Sequence, residues 1–199
     1  MQKKIGLYFG SFNPVHTGHL IIASHLANNT SLDEVWFVVS PQNPFKKQKG
    51  LLNERHRISL VRLAIEDEIK LKASDVEFKL PKPSYTIDTL IYLSEKYPKY
   101  EFSVIMGSDG FQNIEKWKNF EQIINNHIIY IYMRPGFEVV NKYGENIIPV
   151  KAPLLEISAT EIRKNIKVGK SIRYLVTDVV MKEIDEKGYY KSALENPTE

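Results

Sequence analysis

Two histidines stand three positions apart in the run Gly10-Ser11-Phe12-Asn13-Pro14-Val15-His16-Thr17-Gly18-His19. An imidazole N–H donates to anionic oxygens, and a charged imidazole does so more strongly. The run follows a compact apolar stretch, Ile5–Phe9, and leads into a helical pattern, so it reads as a strand-to-helix turn. Helix N-termini favour anions through unsatisfied N–H groups and the helix dipole. Gly18 lets backbone come close to such a ligand. The run is neither the Gly-x-Gly-x-x-Gly fingerprint nor a Walker loop. Taken singly, His16 would cap or pack locally and His19 would be a surface helix residue. Two histidines at this spacing behind a buried strand favour phosphate instead.

The elements that must position this pair alternate between strand and helix. Apolar runs predict strands at Ile5–Phe9, Val35–Val39, Asp75–Phe78, Phe102–Met106 and Ile128–Met133, with a sixth at Ile147–Val150. Helical spacing predicts a helix opening at Thr17-Gly18, one capped by Asn53, and one over 86–97 that Pro98 ends. A loose helical stretch runs through Ile123. Ser158-Ala159-Thr160-Glu161 is a capping-box pattern, and a last amphipathic helix carries Val176, Val179, Val180 and Ile184 up to Gly188. This order predicts an α/β fold, Rossmann-like and doubly wound, with a mainly parallel sheet and a helical C-terminal segment. One domain over 1–199 is expected, with a sheet core over 1–157 and helices over 158–199.

Open parallel sheets bind ligands beyond the carboxyl ends of their strands. The unusual residues fall there: Gly10–His19, Pro41–Lys46, Tyr85-Thr86, Gly107–Asp109, Arg134-Pro135-Gly136 and Ser158–Arg163. All six clusters are expected on one rim.

Composition narrows the class. The chain has 199 residues and no cysteine, which excludes a disulfide framework, a Cys-ligated metal and a cysteine nucleophile. No apolar run approaches the roughly 20 residues that span a bilayer, and the segment after Lys3-Lys4 is too short for a signal peptide. A cytoplasmic protein without membrane contact is expected. The net charge of +3 suits small anionic ligands and is too weak to point to nucleic acid. Apolar helix faces serve a core or a second copy equally, so a homo-oligomer is compatible. His25, His56 and His127 belong to no motif.

With those residues in view, the chain resembles a known family. Gly10–His19 looks like the His-x-Gly-His signature of a nucleotidyltransferase superfamily. Ile157-Ser158-Ala159-Thr160-Glu161-Ile162-Arg163 looks like that superfamily's second signature, Ile-Ser-(Ser/Ala)-Thr-x-x-Arg. Between them, Pro83–Leu90, Gly107-Ser108-Asp109 with Trp117 downstream, and Arg134-Pro135-Gly136 resemble the bacterial nicotinate-nucleotide adenylyltransferases in order and spacing over nearly the whole chain. Phosphopantetheine adenylyltransferases are similar only at the two outer motifs.

The resemblance implies transfer of AMP from ATP to nicotinate mononucleotide, giving nicotinate adenine dinucleotide and pyrophosphate in NAD biosynthesis. It implies Mg²⁺ held mainly by substrate and water, with no protein metal site. His16, His19, Lys46 and Arg163 would be catalytic. Gly10, Ser11, Phe12, Gly107, Asp109, Ile157, Ser158 and Thr160 would join the two histidines and Arg163 around ATP. Lys46, Tyr85, Thr86, Trp117 and Arg134 would meet the acceptor. No enzyme nucleophile is needed, because the acceptor's own phosphate oxygen can attack.

Several of these positions have a second reading. Ser158 is a good helix cap, Arg163 an ordinary surface residue, and Lys46 one of several lysines in a solvated loop. Asp109 suits a ribose hydroxyl or a helix dipole. Trp117 suits stacking on a pyridine ring or core packing. Thr86 suits a nicotinate carboxylate or a helix cap, and Arg134 an acceptor phosphate or a turn. Ser11 and Asn13 stand where the family often has Thr and Asp, and Phe45 stands where many members have His. Thr177 replaces a proline common near the last helix, a departure that reads as structural. The alternatives in function are the same chemistry on nicotinamide mononucleotide or phosphopantetheine, and a non-catalytic nucleotide-binding regulator.

Overall fold

The computed structural model describes residues 2–42, 50–153 and 155–191. Six strands form one sheet: β1 (Lys3–Gly10), β2 (Glu34–Val39), β3 (Leu71–Ser74), β4 (Tyr100–Gly107), β5 (Ile129–Tyr132) and β6 (Ile147–Val150). Their order is β3-β2-β1-β4-β5-β6, and every pairing is parallel. This is the α/β Rossmann-like architecture expected from the alternation.

Strands covered on both faces need apolar side chains on both faces. Ile5 and Leu7 of β1 pack in one core with Ile87, Leu90 and Leu93 of α3 (Thr86–Lys96) and Ile123 of α5 (Phe120–Asn126). Tyr8 joins the opposite core with Ile22 and Leu26 of α1 (Thr17–Asn29) and Ile58 and Val61 of α2 (Glu54–Ala64). The C-terminal helices close that second side through Ile162 of α6 (Ala159–Lys167) and Val180 and Ile184 of α7 (Asp178–Lys187). Gly188, at φ 65, ends α7 in the left-handed conformation that glycine favours.

One predicted strand is displaced. Asp75–Phe78 is not extended: β3 is Leu71–Ser74, and Val76–Lys79 winds into a 3-10 turn. Leu71 is buried while Lys72 is exposed, as befits an edge strand, so its apolar content is low. The apolar Val76 and Phe78 belong to the turn, where Phe78 N–H reaches Asp75 O at 2.9 Å. The loose helical stretch divides into α4 (Ser108–Phe111), a 3-10 turn at Ile114–Lys116, and α5. Ile91, although apolar and next to the buried Leu90, is exposed on α3, and Thr89 is buried instead.

Candidate active site

The two histidines are held from below and from the far end of the chain. Helix α1 begins at Thr17 with His16 as its N-cap. Thr17 N–H donates to Leu175 O at 2.9 Å, and its hydroxyl donates to Tyr174 O at 3.2 Å, so the segment before α7 anchors the turn. The His16 and His19 rings stack, with centroids 3.6 Å apart and planes inclined by 25°. Phe12 meets His19 edge-on at 5.1 Å, and Tyr8 does so at 6.0 Å. His16 N–H donates to His19 Nδ1 at 3.3 Å. A nitrogen that accepts cannot carry the proton in a neutral ring, so Nε2 is the protonated nitrogen of His19.

The surroundings of His16 disfavour its charged form. It is 6% exposed, and its Nδ1 is buried without a hydrogen-bond partner. Burial, and after it the positive charge of Arg134, lowers its pKa from 6.5 to about 4. The ring is therefore neutral near pH 7. Gly18 also has a steric reason within the protein. A Cβ there would sit 3.2 Å from His16 Nδ1, so the glycine makes room for the ring. At Gly10 a Cβ would strike the Phe12 ring at 2.7 Å. Phe12 is itself 2% exposed and packs into the core, so only a sliver of it can meet a ligand.

Arg163 lies on the first turns of α6. Its guanidinium donates to Asn13 O at 2.7 Å and to Thr160 Oγ1 at 3.3 Å. It thus reaches across to the histidine turn rather than into solvent. Ser158 does cap: its Oγ accepts from Glu161 N–H at 3.2 Å. The Asn13 side chain is a junction. Its Nδ2 donates to Gly50 O at 3.0 Å, and its Oδ1 accepts from Leu52 N–H at 3.2 Å and from Tyr190 O–H at 3.0 Å.

Beneath this loop lies Arg57 of α2, with no exposed surface. It donates to the carbonyls of Ser11, Ser40, Pro41 and Leu52, drawing the ends of β1 and β2 and the start of α2 together. Burial lowers its pKa, yet a guanidinium stays charged at ordinary pH. Sequence reasoning missed Arg57, because a charged residue on a helix is by default an exposed one.

A cavity of about 820 Å³ opens above the strand ends, within the range of small-molecule sites. Gly10, Ser11, Phe12, His16 and His19 line it from β1 and α1, and Ile157, Ser158, Thr160 and Arg163 line it from α6. Gly107 and Asp109 come from the end of β4, Arg134 from the end of β5, and Tyr85, Thr86 and Trp117 from the α3 and α5 side. Asp109 and Arg134 face each other, with Nη1 to Oδ2 at 3.3 Å. Ser108 Oγ accepts from Arg134 N–H at 2.9 Å, which fixes the second residue's backbone. Tyr85, not Thr86, is the N-cap of α3, and its side chain makes no capping bond. Trp117 is half-buried against the α3 core, so it can pack and still face the cavity. Lys46 lies outside the described residues. Glu77, which no motif singled out, also lines this cavity, as does Ser84 of the Pro83–Leu90 segment. Of the histidines without a motif, His56 Nδ1 meets Tyr189 Oη at 2.8 Å and His127 Nδ1 meets Phe102 O at 2.9 Å, both tying the fold together.

Comparison with known proteins gives the same picture at the level of family. A cytidylyltransferase-like family model matches residues 7–165. The chain is 53% identical over 191 residues to a Flavobacterium psychrophilum protein named probable nicotinate-nucleotide adenylyltransferase, covering 94% of this chain and 99% of that one. A Cytophaga hutchinsonii protein of the same name is 53% identical over 190 residues, covering 95% and 99%. The chain belongs to the nicotinate-nucleotide adenylyltransferases. The family's fold is shared by the Plasmodium falciparum nicotinic acid mononucleotide adenylyltransferase complexed with NaAD, at TM-score 0.80 and 23% identity, over 94% of this chain and 97% of that one. In this member of the family the strand-end cavity is where the two outer signatures and the middle segments converge.

Among the described residues no group of three or more His, Asp or Glu side chains gathers as a metal cage would require, and no helix is long and apolar enough to cross a membrane.

Proposed function

We propose that the chain transfers AMP from ATP to nicotinate mononucleotide within this cavity, releasing pyrophosphate and nicotinate adenine dinucleotide. One observation carries the assignment of roles. A single cavity has His16, His19 and Arg163 along one wall and Tyr85, Thr86 and Trp117 along another. The first set suits a triphosphate, and the second suits a flat pyridine ring with a polar substituent.

The step needs no covalent enzyme intermediate. An acceptor phosphate oxygen forms a bond to the α-phosphorus of ATP, and the bond from that phosphorus to the bridging oxygen breaks, leaving pyrophosphate. Catalysis is positioning together with stabilisation of charge. His19 Nε2–H donates to an α-phosphate oxygen as charge shifts in the transition state. His16 meets phosphate as a neutral ring, or takes up a proton as the anion arrives. Arg163 turns its guanidinium to the β- and γ-phosphates, with the Ser158 end of α6 beside it. Asp109 and Arg134 exchange their mutual contact for a ribose hydroxyl and the acceptor phosphate. Lys46 would add a cation from the facing segment. Imidazole and guanidinium donors fit a phosphate chain and not a resident cation, so Mg²⁺ would arrive with ATP, held by phosphate oxygens and water. When bound, it neutralises charge on the phosphate chain. A cytoplasmic location, where ATP is plentiful, suits this reaction.

Pyrophosphate release from ATP and Mg²⁺, with each acceptor supplied separately, tests this reading. Release with nicotinate mononucleotide is expected to exceed that with nicotinamide mononucleotide or phosphopantetheine. ATP binding without turnover on any acceptor would point to a regulator and sink the enzyme reading.

A further inference from the structure

We propose that Tyr190, just beyond α7, is a positioning residue for ATP: its hydroxyl holds Asn13, and through Asn13 it sets the guanidinium of Arg163 for the phosphate chain. This deepens the reading above and rests on its assignment of ATP to the Arg163 wall. Asn13 and Arg163 both line the cavity, whereas Tyr190 stands behind it. The Tyr190 hydroxyl donates to Asn13 Oδ1 at 3.0 Å. The same oxygen accepts from Leu52 N–H at 3.2 Å, and Asn13 Nδ2 donates to Gly50 O at 3.0 Å. Both ends of the amide are therefore engaged, each with a partner of the matching kind. The backbone carbonyl of Asn13 in turn accepts from Arg163 Nη1 at 2.7 Å. A residue whose side chain is held in this way has little freedom to move its own carbonyl. The phenol of Tyr190 thus reaches a guanidinium on α6 with one residue between them.

The backbone shows that this contact is built into the fold. Tyr190 lies at φ 64, in the left-handed region that a residue with a Cβ seldom adopts. Such a conformation persists only where surrounding contacts over-determine it. Here the chain leaves α7 through Gly188, and the next two residues are tied down separately. Tyr189 Oη meets His56 Nδ1 of α2 at 2.8 Å, and Tyr190 bonds Asn13. Both rings also pack against the core that holds Ile162 of α6. Burial raises the Tyr190 pKa above 10.0, so its hydroxyl keeps the proton that it donates. Arg57 and Arg163 stand near enough for their charges to act on that hydroxyl.

The test is a double-mutant cycle on the full chain with Tyr190→Phe and Arg163→Ala. It is read as the Kd for ATP with Mg²⁺ by calorimetry, with no acceptor present. Tyr190→Phe keeps the ring and removes only the hydroxyl. It is expected to raise the Kd about fivefold, the scale of one neutral hydrogen bond. On the Arg163→Ala background it is expected to have no further effect, because the group that it positions is gone. Urea unfolding checks that each variant is folded under the assay conditions. The proposal is overturned if Tyr190→Phe binds ATP as the wild type does. It is also overturned if the loss persists in full when residue 163 is changed, which is what a role in packing alone would give. Should Tyr190→Phe fail to fold, Asn13→Ala removes the acceptor of the same bond and takes its place in the cycle, with the same two outcomes deciding. Use of a different acceptor would leave these results untouched. A wild type that does not bind ATP would sink the reading of the cavity itself, and this proposal with it.

Discussion

The two walls of the cavity are built on opposite terms. At the histidine wall almost every polar group is already satisfied by protein. Arg57 binds four loop carbonyls, Asn13 binds Gly50, Leu52 and Tyr190, and Arg163 binds Asn13 and Thr160. At the rim of the Thr86 wall the Asp109 and Arg134 side chains hold each other, and the Arg134 guanidinium lies 5.6 Å from the Tyr132 ring centroid. The first wall is preorganised, which suits a charged triphosphate whose transition state must be met without rearrangement. The second is held at its rim by an exposed ion pair, a contact weak enough for an acceptor to part.

The comparison breaks first at Arg57. Arg57→Met would leave four carbonyls without this donor, two of them buried, and should lower stability by about 3 kcal/mol in urea unfolding. Arg57→Lys should recover part of that loss. A stable methionine variant would mean that the histidine wall is not held in this way. Next comes His19→Ala, which should lower kcat by roughly 10²–10³ while changing ATP affinity far less. An equal loss of affinity with kcat preserved would move His19 from the transition state to ground-state binding.

A pH titration of stability sharpens the contrast further. The His16 pKa is lowered from 6.5 to about 4, so between those values the unfolded chain binds more protons than the folded one. Stability from this group is full above about pH 6.5 and is lost as pH falls toward 4, by an amount on the order of 3 kcal/mol. His16→Asn should flatten that limb of the curve. Glu77 acts in the opposite sense. Its pKa is raised from 4.5, so its contribution is full below that value and is lost as pH rises through the folded one. The smallest effect is expected at Trp117. Trp117→Ala should raise the acceptor KM about tenfold and leave ATP binding nearly unchanged. A variant unfolded by circular dichroism would instead assign the indole to the core.

The fold was largely legible because strands buried on both faces are apolar throughout, and helix starts carry their own chemistry. Ser158 before Glu161 and Asn53 before Arg55 both cap as their types suggest. The edge strand was misplaced because Leu71–Ser74 buries little, while the apolar residues beside it form a turn. The rim was legible for a related reason: parallel strands bring every following loop to one side, so the order of motifs along the chain already implied their convergence.

What the amino acids determined by themselves was therefore local and periodic: which segments pair, where helices begin, and which ten residues hold the two imidazoles. Tertiary structure alone decided the electrical state of those side chains. Burial made His16 neutral, while four carbonyls surround the charge of Arg57 and no cation meets Glu77. Ionisation depends on solvent and on neighbours distant in sequence, and neither is carried by a residue's own type or by its spacing.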